Sequence, residues 1–138
     1  DLRSHDPSVY CLSLQSGTWT RCREQGRSPF ANYPLFAFRA ELCNATSFCI
    51  FGGMRATLGL SNELFCADVQ ELPSMDLQLQ WSEVRVSGVA PAPRHWHGFG
   101  SINESSMVVF GGLTLQSTLN DAHVLLLTKE ENSVTADW

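Results

Sequence analysis

The run Ile50–Met54, IFGGM, is apolar until it breaks on a glycine pair, and Val109–Leu113, VFGGL, repeats it 59 residues later. A glycine pair after an apolar run has three readings: a turn, a phosphate cradle, or one beat of a repeat. A cradle needs G-x-x-x-x-G-K-[ST] or G-x-G-x-x-G opening a helix, and neither follows here. Aligning the two pairs brings other features into step. Trp19, Trp81 and Trp138 recur at 62 and 57 residues, and Gly26 and Gly88 at 62, each glycine ahead of a proline-containing loop. Asn62-Glu63 follows one pair as Asn120-Asp121 follows the other. The chain reads as one unit used more than twice.

Within each unit the apolar residues fall in short runs. SFCIFGG and SMVVFGG are β-branched or aromatic and stop at glycine. SVYCLSL, NELFCADV and AHVLLL follow, and TWTRCREQG and QWSEVRVSG alternate behind a tryptophan. No stretch of a dozen residues has the period of an amphipathic helix. Four short strands per unit, repeated at about sixty residues, predict an all-β repeat such as a propeller blade.

Composition bounds the partners. The chain has 138 residues, about one ordinary domain, with 17% charged residues and a formal net charge of −5. There is no basic surplus of the kind that neutralises nucleic-acid phosphates or anionic lipid, so neither is an expected partner. No apolar run reaches the roughly 18 residues of a spanning helix. The opening DLRSHDPSVY has neither an initiator Met nor a signal-like segment, which reads as a piece of something longer.

Cys11, Cys22, Cys43, Cys49 and Cys66 are odd in number and lack C-x-x-C spacing. They read as free, mostly buried thiols of a cytoplasmic or nuclear protein. NAT at Asn44 and NES at Asn103 fit the N-glycosylation pattern and keep secretion as the second reading.

The run PAPRHWHGFG at 91–100, then MVVFGG, LNDAHVLLL and a later Trp, resembles the kelch repeat. In that family a blade reads Pro-Arg-x-x-His, an apolar strand ending Gly-Gly, Asn-Asp before an aliphatic strand, then Trp. Pro93, Arg94 and His97 match the opening, Gly111 and Gly112 the pair, Asn120 and Asp121 the next element, and Trp138 the last. The preceding unit keeps Gly52, Gly53, Asn62 and Trp81. Its opening is SPFANY, with Phe30 where arginine stands and Tyr33 where histidine stands, so its arginine-dependent contacts are made differently or lost. Residues before the later tryptophans, ELPSMDLQLQ and TKEENSVTA, predict long hairpin loops.

The resemblance implies an all-β fold of kelch-type propeller blades, each a four-stranded antiparallel sheet, in an incomplete ring. Residues 1–28 supply the last two strands of one blade, 29–88 a complete blade with a degenerate opening, and 89–138 a blade that stops at the first residues of its final strand. Propellers close with typically four to eight blades, so the rest of the propeller is itself an expected partner.

Each chemical reading meets a structural one. His95 and His97 share a face if extended and would offer two imidazoles to a metal, yet only His5 and His123 remain to complete a ligand set. The resemblance gives His97 a structural place, and no metal or cofactor is expected. Arg94 is a fork for a ligand carboxylate or, as the family implies, is satisfied within its blade, with Asp121 as partner. The recurring tryptophans predict packing between blades with each indole N–H satisfied locally. No catalytic constellation emerges: the G-x-S-x-G elbow is absent, and Tyr10 and Tyr33 are too few for the copper oxidases found among kelch-like propellers.

The expected function is therefore a non-catalytic module that binds a protein or peptide segment. In ligand-binding kelch members the residues after Pro-Arg and after Gly-Gly open toward the central ligand face. Those positions are His95, Met54 and Leu113, and Ala31 in the degenerate unit, with Trp96 and Tyr33 as neighbouring aromatics. That rim is apolar and predicts a hydrophobic anchor on the partner. The family implies roles as substrate receptors of cullin-type ubiquitin ligases. Cytoskeletal scaffolding and an extracellular propeller glycosylated at Asn44 and Asn103 are the alternatives, with a copper oxidase-like enzyme behind them.

Overall fold

The computed structural model describes residues 6–74, 76–130 and 133–138. Among them there are strands, turns and no helix, hence none long and apolar enough to cross a membrane. The first unit is a hairpin of β1 (Tyr10–Leu12) and β2 (Trp19–Arg21). Then come β3 (Arg23–Gln25), β4 (Leu35–Phe36), β5 (Arg39–Asn44), β6 (Ser47–Phe51), β7 (Met54–Arg55), β8 (Gly59–Leu60), β9 (Leu64–Glu71) and β10 (Leu77–Trp81). The remainder is β11 (Glu83–Ser87), β12 (Gly98–Asn103), β13 (Ser106–Leu113), β14 (Thr118–Lys129) and β15 (Ser133–Asp137).

Two five-stranded sheets carry the architecture, ordered β3-β10-β9-β6-β5 and β11-β15-β14-β13-β12. In each, four strands form an antiparallel meander and the fifth is lent by the preceding unit in parallel pairing. The alternating stretches 18–26 and 80–88, expected as single strands, are each cut in two. β2 hands over to β3 at Cys22, and β10 to β11 at Ser82, whose N–H donates to Cys66 O at 2.9 Å. Periodicity cannot reveal this handover, because the alternation of side chains is the same on whichever sheet the backbone pairs.

The long hairpin loops expected before Trp81 and Trp138 are partly strand. β9 runs to Glu71 and β10 begins at Leu77, while β14 runs to Lys129 and β15 begins at Ser133. Burial of Leu79, Val134 and Ala136 at alternate positions is what holds these segments in the sheets. The strand β15 is five residues long and paired on both sides.

The middle sheet is covered on both faces, which is why its strands read as unbroken apolar runs. Cys49, Phe51, Leu64 and Cys66 pack against Met107, Val109, Leu125, Val134 and Ala136 of the last sheet. The intervening Ile50, Phe65, Ala67, Leu79 and Trp81 face the other way, onto Cys22 and Leu35. The last sheet is covered on one face only: Phe110, Val124 and Leu126 are 59%, 50% and 53% exposed. No closed ring forms within these residues.

Trp81 packs on rings of its own unit, and Trp138 packs across on the second unit. Trp81 meets Phe30 and Phe48 edge-on at 6.2 and 5.7 Å and donates its indole N–H to Glu24 Oε2 at 2.9 Å. Trp138 lies 5.0 Å from the Phe51 ring. Trp19 departs from the pattern at 68% exposure, because its two-stranded sheet has no further strand or covering ring among the described residues.

The cysteines correct the sequence reading. Cys49 and Cys66 are directly opposed on β6 and β9, with Cα atoms 4.1 Å apart, and form a disulfide. Cys11, Cys22 and Cys43 are free thiols. An odd count with no paired spacing conceals a bond whose two halves are brought together only by strand register.

Candidate functional site

The glycine pairs shape the rim from which the candidate residues project. In the second unit the pair separates β6 from β7; in the third it is a bulge inside β13, between Phe110 and Gly112, so there the strand does not stop at glycine. Gly53 and Gly112 take φ of 95° and 100°, and a Cβ on either would sit 2.8 Å from a backbone oxygen, of Phe36 and His95 respectively. The close approach lets Gly53 N–H donate to Arg94 O at 2.9 Å, tying the second unit to the opening of the third.

From these turns Met54 pairs with Phe36 and with Leu60 in the small sheet β4-β7-β8. Leu113 and His95 exchange both backbone hydrogen bonds, at 2.9 and 3.1 Å, as an isolated bridge. Trp96 then turns out at φ 52°, is 64% exposed, and stacks on His95 with ring centres 4.9 Å apart. Its N–H donates to Ala37 O at 3.5 Å, and Ala37 is the other non-glycine residue of positive φ among the described residues, at 54°. Two left-handed residues therefore meet backbone to backbone, next to exposed Phe36 and Trp96 rings. Such conformations cost about 1–3 kcal/mol each and are held only by surrounding structure.

The kink at Trp96 also separates the two histidines that a straight strand would have set on one face. His95 lies on the partly exposed side, while His97 is 1% exposed and meets the Phe51 ring edge-on at 5.4 Å. Burial, with Arg94 and Arg39 adding their charge, lowers the His97 pKa to about 4, so its ring is neutral. Among the described residues no cluster of three or more His, Cys, Asp or Glu side chains could hold a metal ion; His5 lies outside the described residues.

Arg94 is fully buried and every contact it makes is internal. Nη1 and Nη2 donate to the two Asp121 carboxylate oxygens at 2.7 and 2.8 Å, Nη1 also to Gly111 O, and Nε to Ala92 O, both at 3.0 Å. Asp121 accepts in addition from His123 Nε2 at 2.9 Å when that nitrogen carries the proton. The Arg94 hydrogen bonds hold the Asp121 carboxyl far below the usual carboxylate range. Asn62 Nδ2 donates to Pro91 O at 3.0 Å, a further tie between units, whereas Asn120 is exposed.

The second unit replaces the missing arginine from another strand. Arg55, next to Met54, donates from Nε and Nη2 to Glu63 Oε2 at 3.2 and 2.9 Å and from Nη1 to Pro29 O at 2.9 Å. Glu63 stands where Asp121 stands in the third unit. Phe30, in the place of the arginine, packs instead on Phe38 and Trp81. Arg55 and Glu63 are absent from the sequence-derived site; the alignment of Asn62-Glu63 with Asn120-Asp121 was the available signal for Glu63.

Beside this pair opens a pocket of about 390 Å³ lined by Arg27, Tyr33, Arg55, Leu58 and Glu63 among others. Tyr33 thus belongs to a concavity together with two arginines, and the rim is less apolar than expected. Ala31 is exposed on the same loop. Met54, through Phe36 and Ala37, is the structural link toward His95, Trp96 and Leu113.

The KLHDC2/KLHL20/DRC7 Kelch-repeats domain family matches residues 2–136. Adagio-like protein 3 of Oryza sativa subsp. japonica is 36% identical over 126 residues, 89% of this chain and 18% of that protein. Adagio protein 3 of Arabidopsis thaliana is 29% identical over 127 residues, 91% and 19%. Acyl-CoA-binding domain-containing protein 4 of Arabidopsis thaliana is 27% identical over 114 residues, 83% and 15%. The chain spans less than one fifth of the length of each of these relatives. With its meandering sheets, its paired glycines and a family match over nearly all of its length, the chain belongs to the KLHDC2/KLHL20/DRC7 kelch-repeat family.

Proposed function

We propose that this segment binds a protein or peptide through the rim built from Ala31, Tyr33, Met54, His95, Trp96 and Leu113, and that it does so without catalysis. The observation that carries the reading is the exposed Trp96 ring, held at a left-handed backbone position that meets left-handed Ala37, next to the exposed Phe36 ring. An aromatic kept in solvent at a conformational cost is a natural anchor point for an apolar side chain of a partner. The Tyr33 pocket, with exposed Arg27 at its edge, adds a place for a polar or acidic neighbour in the bound segment. Kelch-repeat domains are typically interaction modules, which agrees with this reading. Service as a substrate receptor of a cullin-type ubiquitin ligase, in the cytoplasm or nucleus, is the finer part of the proposal and rests on family membership. The exposed face of Phe110, Val124 and Leu126 is proposed to meet the next blade of the same propeller.

The test is quantitative affinity capture with the whole protein. Trp96→Ala combined with Leu113→Asp abolishes partner recovery while leaving the melting profile near wild type. Full recovery by that folded variant refutes the rim, and loss of recovery without a recovered cullin or its adaptor in the wild type refutes the ligase role.

The Cys49–Cys66 disulfide favours a second reading, an extracellular propeller, since such bonds persist in oxidising compartments. Asn103 is exposed at the end of β12, just before the hairpin turn. A mobility shift on deglycosylation of protein from its own cells decides between the two.

A further inference from the structure

The free thiol of Cys43 points at the disulfide: its Sγ lies 3.3 Å from Cys49 Sγ. This follows from a bulge. β5 and β6 pair Leu42 with Phe48 and then Asn44 with Ser47, so the register slips at Cys43 and tips its side chain diagonally onto Cys49. Cys49 Sγ is therefore in contact with two sulfurs, bonded to that of Cys66 and touched by that of Cys43. Cys49 and Cys66 are 1% and 5% exposed, and Cys43 is half-buried. All three line a cavity of about 50 Å³ between the two large sheets, room for a water molecule.

We propose that Cys43, Cys49 and Cys66 form an intramolecular thiol–disulfide exchange site in which Cys49 is the sulfur shared by two alternative bonds. Cys43 gives its proton to water, and the thiolate attacks Cys49 Sγ. The Cys43–Cys49 bond forms as the Cys49–Cys66 bond breaks, the electron pair leaves on Cys66 Sγ, and Cys66 takes a proton back from water. One disulfide and one thiol stand on each side, so no external oxidant or reductant is consumed. The exchange moves the covalent tie from β6–β9, at the centre of the sheet, to β5–β6, at its edge. The charged groups facing Cys43 are Lys129 from β14, Asp68 from β9, Glu41 on its own strand and Glu104 from the β12–β13 turn. Lys129 donates to both Asp68 and Ser47 across the gap and so joins the cavity to the neighbouring unit. Burial raises the Cys43 thiol above its ordinary pKa, so exchange accelerates with pH through the mildly alkaline range.

The whole protein, purified without reductant, is incubated in a buffer free of added thiols and disulfides at about pH 7 and about pH 9, where thiolate populations differ by up to roughly a hundredfold, and is sampled over time. Thiols are capped with N-ethylmaleimide and the protein is cleaved with chymotrypsin, which cuts after Phe48 and separates Cys43 from Cys49. Mass spectrometry then reads the linked peptides. The expected result is both Cys49–Cys66 and Cys43–Cys49 in the wild type, the second forming faster at the higher pH. Cys66→Ser, oxidised with glutathione disulfide, collects Cys43–Cys49, and Cys43→Ser leaves Cys49–Cys66 alone. The wild type decides first, so the result does not depend on a variant that must fold. Cys43 fully capped in every wild-type sample overturns the proposal, as does finding all three cysteines capped.

Discussion

Arg55 donates twice to one carboxylate oxygen of Glu63, Oε2, whereas Arg94 forks onto both oxygens of Asp121. The same charge pair is thus built twice, once from the opening loop and once from the strand after the glycines. The two differ in depth: the Arg94 side chain is fully buried, while that of Arg55 is 12% exposed and Glu63 is 42% exposed.

Depth sets the first prediction. Asp121→Ala leaves a buried guanidinium without its acid and costs about 3–5 kcal/mol. Glu63→Ala lets water reach Arg55 and costs about 1 kcal/mol. Denaturant titration of the two variants gives the comparison, and equal losses would show that burial does not govern these pairs.

His97 sets a pH dependence. Its folded pKa of about 4 lies below the unfolded value of 6.5, so the unfolded chain binds the proton first. The stability due to neutral His97 is complete above pH 6.5 and drains away as pH falls toward 4. The loss is on the order of 2–3 kcal/mol. His97→Gln removes that slope in a melting series across the window.

The glycine pair predicts a steep local intolerance. Gly112→Ala forces a Cβ to 2.8 Å from both His95 O and the His97 Cβ at φ 100°, and costs about 3 kcal/mol or more. Gly100→Ala, with open space around it, changes stability by less than about 0.5 kcal/mol. Thermal melts of the two variants test the contrast.

The open face of the last sheet gives a prediction with opposite signs in two contexts. Phe110→Ser with Val124→Lys reduces self-association of the 138-residue segment, because both side chains are exposed there. In the whole protein the same pair of changes costs about 2–4 kcal/mol if a further blade covers that face. Sedimentation of the segment and melting of the whole protein read the two arms.

Much of the fold was legible in the sequence because its signals are local. Gly-Gly, Pro-Arg-x-x-His and the spaced tryptophans each fix a turn, a buried fork or a packed ring near their own place in the chain. What was not legible depends on which strand lies alongside. Cys49 and Cys66 are joined by register, not by spacing. Arg55 replaces an arginine at position 30 only because β7 passes beside the opening loop. Trp19 follows the period yet stays exposed, since a period says nothing about whether a covering ring is present. Of the candidate rim, Tyr33 and Trp96 are set out in solvent as surface aromatics, while Phe36 and Leu58, exposed just as openly, carry no motif and went unmarked.

The handover at Cys22 and Ser82 means that the repeat written in the sequence and the sheet formed by the backbone are out of phase by one strand. Excising a unit at its sequence boundary would strip its neighbour of an outer strand and leave a hydrogen-bonding edge bare. A duplication or deletion that keeps every sheet whole must be cut instead within the handover, between Trp81 and Glu83. Gains and losses of blades in this lineage are therefore expected to carry their seams there, one strand away from where the motif begins.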